Sequence, residues 1–297
     1  MTTIALLAAF SSLASADGLQ WSWVKPEPVR YHTEAYINSP RGAMLRANAN
    51  LEARALTIAI VGDVSCKGQA QGKSTKLICT VEKMDVRGRA FDGEQERLDK
   101  ILAGYSKSLV GAELEMRVRA DGHVSALDLE GIETDIAQSR DAEEHMRQLM
   151  RRSMAPLAVQ MPKDAVGAKP WKHKGMPLFY ELLTNSGTTG GVMHKYKVDG
   201  EAKAGGTYVV GEGMGNLNSQ SATQGATTAG ALNMVGATQT RFDPKTGLAL
   251  YSEVSVSGSP SAGNTTVQSG VRYALAAWVG LIQADGSVEG LDGPSAK

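Results

Sequence analysis

The residues able to do chemistry are few and scattered along this chain. His32, His123, His145, His173 and His194 include no pair at the i, i+4 spacing of a helical metal site or the His-x-His spacing of a strand site. No Gly-x-Ser-x-Gly nucleophile elbow occurs, so acyl transfer through an activated serine has no carrier. Gly68-Gln-Ala-Gln-Gly72-Lys73-Ser74 has the residue types of a phosphate-binding loop, but three residues rather than four separate its glycines and the segment sits inside a hairpin pattern. Gly211, Gly213 and Gly215 form a Gly-x-Gly-x-Gly with no strand-helix-strand context and read as loop. Asp128/Glu130 and Asp141/Glu143/Glu144 stand in turn and helix-start positions, where carboxylates stabilise structure or face water. These patterns specify no reaction, no metal and no cofactor, and the expectation is a binding protein rather than an enzyme.

Two apolar or covalent features remain. Cys66 and Cys79 lie in β-branched runs joined by the Gly, Gln, Lys and Ser of residues 67–74. A turn centred on residues 71–74 pairs 66 with 79, 64 with 81 and 61 with 84, which places a disulfide across one hairpin; two buried free thiols are the alternative. Met146, Leu149, Met150 and Met154 share one helical face, with Met161 and Met176 soon after. Methionine is flexible and polarizable, suited either to filling an irregular core or to lining a groove for varied apolar ligands. Trp171 is the large aromatic nearest this stripe, and together these five residues form the candidate groove.

The elements that must position them follow from periodicity. Residues 29–37, 46–64 and 75–86 carry strand patterns, and Leu98, Ile101, Leu102, Tyr105 and Leu109 then switch to a helical spacing, predicting a helix over 94–108. Asp121-Gly122 between alternating runs predicts a hairpin over 112–129. Asp141 with Glu144 forms a capping box that opens a second helix over 139–155, ended by Pro156. Further strands are expected at 175–185, 191–199, 206–213, 231–242, 247–257 and 265–279. Gly211–Gly230, dominated by Gly, Ser, Thr, Asn, Gln and Ala, reads as a mobile loop or a solvated edge strand, with the loop preferred. The hairpin over Glu115–Gly131 has a faint counterpart in Thr238–Gly258, the mark of two similar halves if the chain is duplicated.

At the N-terminus, the apolar run Ile4 to Phe10 followed by Ala14-Ser15-Ala16 has the form of a signal peptide over residues 1–16 cleaved before Asp17. The organisation expected is therefore 1–16 signal peptide, 17–162 a β-rich half with two helices, 163–283 a second β-rich half, and 284–297 a flexible tail. No later stretch has the roughly 18 to 20 apolar residues that span a bilayer as a helix, and Ala274 to Ile282 is too short. Asn264-Thr265-Thr266 is a glycosylation sequon of consequence only in a eukaryotic host. The chain of 297 residues has 31 Lys+Arg against 31 Asp+Glu, so no long-range field draws it to nucleic acid. Aromatic content of 5% counts against a sugar site.

The segment from Ala112 to about Leu183 resembles an uncharacterised family of exported bacterial β-rich proteins that share a dGxV hairpin, a helix, and an LP…VxvGdxW segment. Asp121, Gly122 and Val124, then Met161, Pro162, Val166, Gly167 and Trp171, carry the resemblance, with Met161 in place of the usual Leu and Lys169-Pro170 where Asp-Thr is usual. More loosely, helices on the concave face of a curved sheet look like the periplasmic lipoprotein-carrier architecture. The resemblance implies location and fold rather than activity. The expected fold is α+β and strand-dominated: a large bent antiparallel sheet, or two similar halves, packed against two amphipathic helices. The expected function is non-enzymatic binding of an acyl chain or apolar peptide in a groove between sheet and helix, in the periplasm or outside the cell. The alternative is an envelope assembly or scaffold protein that contacts other proteins and has no ligand cavity.

Overall fold

A computed structural model describes residues 19–39, 56–90, 93, 95–132, 140–161, 170–175, 189–202, 205–223, 226–260 and 273–290. The expected signal peptide, the sequon, Met176, and the matching positions Pro162, Val166 and Gly167 lie outside the described residues. Eleven strands form one antiparallel sheet: β1 Val29–Ser39, β2 Leu56–Gln71, β3 Ser74–Ala90, β4 Glu113–Arg119, β5 Val124–Glu130, β6 Trp171–Gly175, β7 Thr189–Glu201, β8 Thr207–Thr223, β9 Ala226–Asp243, β10 Leu248–Pro260 and β11 Tyr273–Leu281. Their order is β5-β4-β3-β2-β1-β11-β10-β9-β8-β7-β6. Two meanders thus run outward from a seam where β1 pairs β11, with Ala35 opposite Ala277. The hairpins β4–β5 and β9–β10, the two arms of the faint repeat, occupy different places: one at the sheet's edge, the other next to the seam.

Among the described residues, two helices cover one face. The first, α1, spans Gln95–Leu109, and the second, α2, Arg140–Met154, within one or two residues of the expected bounds. In α1 the stripe Leu98, Leu102, Tyr105 and Leu109 is buried, and Gly88 of β3 lets the helix close on the sheet, since a Cβ there would meet Leu102 Cδ1 at 2.6 Å. Pro156 does not simply end α2: residues Ala155–Ala158 continue as a 3-10 turn with Pro at its start, where a missing N–H costs nothing. Two sheet hydroxyls satisfy carbonyls at this helix end, Thr33 Oγ1 donating to Ser153 O (2.7 Å) and Ser252 Oγ to Pro156 O (2.8 Å). Among the described residues, no helix is long and apolar enough to cross a membrane.

The β2–β3 hairpin has the expected pairs 66 with 79 and 64 with 81, and Cys66 and Cys79 form a disulfide. The 61–84 pair is not formed. Glu82 bulges out of β3 at Asp63/Val64, so Val61 faces Asp85 and Gly62 faces Met84. The bulge turns the Glu82 carboxylate outward, where Arg30 donates to it from Nε and Nη2 at 3.0 and 2.7 Å. The phosphate-loop lookalike at 68–74 is the end of this hairpin, as expected.

Residues 211–223 and 226–230 are not loop: they belong to β8 and β9, which pair with each other from Thr207↔Phe242 to Thr223↔Ala226. Residues 211–218 also pair with β7, whereas 219–223 and 226–230 extend past β7 and β10 as a two-stranded ribbon. Backbone pairing, on both edges for residues 211–218 and across one ladder beyond them, supplies what the side chains do not, and the weak strand propensity of Gly, Ser and Asn is overridden. Gly211, Gly213 and Gly215 consequently sit at alternate positions of β8 and share one face. The expected tail is also shorter: Gln283–Glu289 folds back as a hairpin on β11, with Glu289 paired to the buried Arg241 of β9, and 291–297 lies outside the described residues.

The sheet curls, and hydrogen bonds measure the curl. Trp21 N donates to Ala120 O after β4, and Ser22 N to Gly247 O before β10, each at 2.8 Å. Neighbouring backbone nitrogens bring those two carbonyls within about 10 Å of each other. Five strand spacings lie between β4 and β10, which in a flat sheet would be about 24 Å. The residues Trp21 to Trp23 therefore strap the closed end of a bent sheet, with the two indoles stacked at 5.1 Å and Phe242 edge-on to Trp21 at 5.3 Å. The fold is the strand-dominated α+β architecture the patterns imply.

Candidate functional site

Met146, Leu149, Met150 and Met154 all turn into the hydrophobic core, Met146 and Met150 at 0% and Leu149 and Met154 at 1% exposure. They meet the inward side chains of the sheet together with Leu157, Val159 and Met161. Trp171, on the far edge strand β6, packs partly buried against the same core, stacked on Tyr196 at 5.7 Å. Arg152 is buried on the same helix, and burial pulls its guanidinium down to about 10, still cationic at neutral pH.

Four of the positions named for the resemblance, Asp121, Gly122, Met161 and Trp171, converge on a clasp. Trp21 Nε1 donates to Val159 O (2.9 Å), Trp171 Nε1 to Gln160 O (3.2 Å), and Met161 N to Asp121 O (2.9 Å). Gly122 holds φ +78°, and a Cβ there would lie 2.2 Å from Val159 O. Asp121, Gly122, Met161 and Trp171 thus lock the chain leaving the 3-10 turn onto the β4–β5 turn and the strap. These contacts hold the fold together at its closed end.

The other face of the sheet is built differently. Residues 31, 33, 35 and 37 of β1 face the helices, so His32, Glu34, Tyr36 and Asn38 face outward. One outward row crosses five strands in register: Tyr36, Ala276, Ser255, Ala237 and Glu212. The three central members have small side chains, and the row on one side, Trp278, Glu253, Gln239 and Val210, has larger ones. The row on the other side runs Asn38, Ala274, Ser257, Val235 and Met214, repeating the floor's Ala and Ser on β11 and β10 and rising above it at Val235 and Met214. The result is a trench across β11, β10 and β9, described by two adjoining cavities of about 400 and 340 Å³ that share Tyr36, Ala237, Ser255 and Ala276. Its rim continues into Met193 and Met214, register partners on β7 and β8, and Met214 is 70% exposed.

A polar and aromatic cluster borders the trench at the seam. Glu34 accepts hydrogen bonds from Tyr36 Oη (2.9 Å) and Trp278 Nε1 (3.2 Å), and Glu253 accepts one from Tyr251 Oη (3.0 Å). Tyr251 and Trp278 stack at 5.7 Å. Burial and the Glu253 carboxylate both push the Tyr251 phenol well above its ordinary value. His32 Nδ1 lies 2.7 Å from Asp63 Oδ1, and its Nε2 lies 3.4 Å from Glu34 Oε1. Partial burial would raise the Asp63 carboxyl, but hydrogen bonds from His32 and Lys83 outweigh it and hold the group below the usual range.

None of this outward cluster stands out in the scattered histidine count. The available signal is strand alternation: His32-x-Glu34-x-Tyr36 and Tyr251-x-Glu253 each put polar and aromatic residues on one face. Among the described residues, no group of three His, Cys, Asp or Glu is placed to hold a metal ion. The arrangement is suited to binding: an apolar floor takes a hydrocarbon chain, and aromatic rings and carboxylates along one wall orient it. No protein-family model and no curated protein matches the chain.

Proposed function

We propose that this is a non-enzymatic binding protein of the bacterial envelope, periplasmic or secreted, that seats a single apolar chain on the outward face of its sheet. The observation that carries this reading is the trench floored by Ala276, Ser255 and Ala237, walled on one side by Trp278, Glu253 and Gln239 and bounded on β9 and β8 by Val235 and Met214. A groove between sheet and helix, the seat expected from the methionine stripe, is less suited, because those methionines already contact protein on all sides. The disulfide supports export, since such bonds persist in oxidising compartments, and the N-terminal apolar run ending in Ala14-Ser15-Ala16 agrees with it. A sheet curled around helices is also similar to the lipoprotein-carrier architecture, a likeness of fold alone.

The test is calorimetric titration of the mature protein with decyl maltoside, an uncharged single-chain amphiphile, below its micellar concentration. One saturable site is expected. Ala237→Phe, at a solvent-facing position, should weaken it by about tenfold or more, equivalent to about 1.4 kcal/mol, by occupying the floor. Absence of saturable binding to the unaltered protein overturns the reading.

A second reading, an assembly protein that docks other envelope proteins through this face, is favoured by the exposed row Met193, Met214 and Val235. It expects Met214→Glu to release the protein from envelope fractions while the decyl maltoside titration is unchanged.

A further inference from the structure

The acids of the outward face divide into two groups. Most are neutralised: Asp63 lies 3.2 Å from Lys83, Asp85 2.6 Å from Arg87, Asp199 2.9 Å from Lys197, and Glu289 pairs with Arg241. Glu253 differs. Its outward neighbours are Trp278 and Gln239 across the ladder and Tyr251 and Ser255 along the strand, all uncharged, and its described hydrogen bond comes from the Tyr251 phenol. On the far side of Trp278 stands Glu34, held by Tyr36, Trp278 and His32 rather than by a lysine or arginine. Glu212, at the end of the trench, has Lys195 as its register partner.

The two carboxylates thus flank one indole in a single transverse row, Glu34, Trp278, Glu253, and Tyr36, Trp278 and Glu253 line the same cavity of about 340 Å³. A lone carboxylate in a partly desolvated aromatic wall favours an incoming cation twice, by Coulomb attraction and through the negative faces of the rings. Glu34 takes no part in holding the fold's core; its two neutral donors fix it in place, so it is already oriented before anything binds. The apolar floor lies one row away, about 7 Å along the strands. Hydrocarbon and cation sites at that separation match one small molecule.

We infer that the trench selects a cationic amphiphile: one hydrocarbon chain along Ala276, Ser255 and Ala237, and an ammonium head against Glu253, Glu34 and the rings of Tyr36 and Trp278. This rests on the trench being the binding site. From Glu34 to Glu253 the charged residues of that wall are acids, and Lys197, which ends the row beside Val210, is paired with Asp199 at 2.9 Å.

The test titrates the mature full-length protein with decyltrimethylammonium, decyl maltoside and decyl sulfate, each below its micellar concentration. Decyltrimethylammonium is expected to bind about tenfold or more tightly than decyl maltoside, and decyl sulfate more weakly than either. Raising salt should narrow the difference, as screening requires. Glu253→Gln should remove most of the preference for decyltrimethylammonium over decyl maltoside, and Glu34→Gln should reduce it further; unchanged far-ultraviolet circular dichroism checks folding. If decyl maltoside binds but the three heads bind equally, or if the preference survives both substitutions, the cation inference fails and the trench stands. If none of the three binds, both fail.

Discussion

At Cys66 and Cys79 the covalent link and the hydrogen-bonded register coincide, since the two residues are direct cross-strand partners and both are buried. The bond therefore restrains the unfolded chain. Replacing both cysteines with alanine is expected to lower unfolding free energy by about 3 kcal/mol, the loop-closure value for a link of this span, measured by urea denaturation. Met150 presents the opposite situation, a side chain whose contribution is packing alone. Met150→Ala is expected to cost about 2 to 5 kcal/mol through transfer and cavity terms, yet to leave amphiphile titrations unchanged if the trench is the site. Asp63 adds a pH dependence. Its carboxyl is held below its ordinary value in the native state, so the stabilisation is fully present above the unfolded value of about 3.9 and is lost as pH falls through the native one. Urea midpoints followed downward from pH 6 should fall more steeply below about pH 4 in the unaltered protein than in Asp63→Asn.

Among elements, the strap at Trp21–Trp23 holds the two meanders at a separation a flat sheet forbids. Trp21 contributes a backbone bond to the β4–β5 turn, an indole bond to Val159 O, and stacking on Trp23. Trp21→Ala is expected to destabilise by about 3 to 5 kcal/mol, and amide exchange at Gly122 and Met161 should accelerate beyond that seen elsewhere in the sheet. The helices were legible in sequence because a 3.6-residue stripe such as Leu98, Leu102, Tyr105, Leu109 has one interpretation. The hairpin was legible up to its bulge; beyond Asp63/Val64 an inserted residue shifts the register, and nothing in the local pattern marks Glu82 as the insertion. β8 and β9 were legible at 206–213 and 231–242, but residues 214–223 and 226–230 were not, because their strand conformation rests on backbone pairing rather than on an alternating apolar pattern. The trench was illegible for a related reason. It consists of side chains too small to fill their row, and only the register brings Ala237, Ser255 and Ala276 side by side.

For the whole molecule, the seam decides whether the chain divides near residue 162. β1 is bonded to β2 on one edge and β11 on the other, so a fragment ending there would expose the β1 edge along Tyr31 to Asn38. It would also strip α2 of part of its cover, since α2 packs on β11 as well as on β1 and β5, and the 3-10 turn rests on β10 and β11. Buried inward residues such as Tyr31, Ala35 and Ile37 would then face water on one side, and the open edge would template association. Trp21 would lose Phe242, and the strap would lose its anchor at Gly247. A chain of residues 17–162 is therefore expected to aggregate or remain without dispersed amide resonances. The full chain should unfold in one cooperative transition, with tryptophan fluorescence and far-ultraviolet circular dichroism giving coincident urea curves. Two separated transitions, or a well-dispersed spectrum from the fragment, would show instead that the first meander closes its own core. The curl would then be a property of each half, and the seam only the line along which two finished units meet.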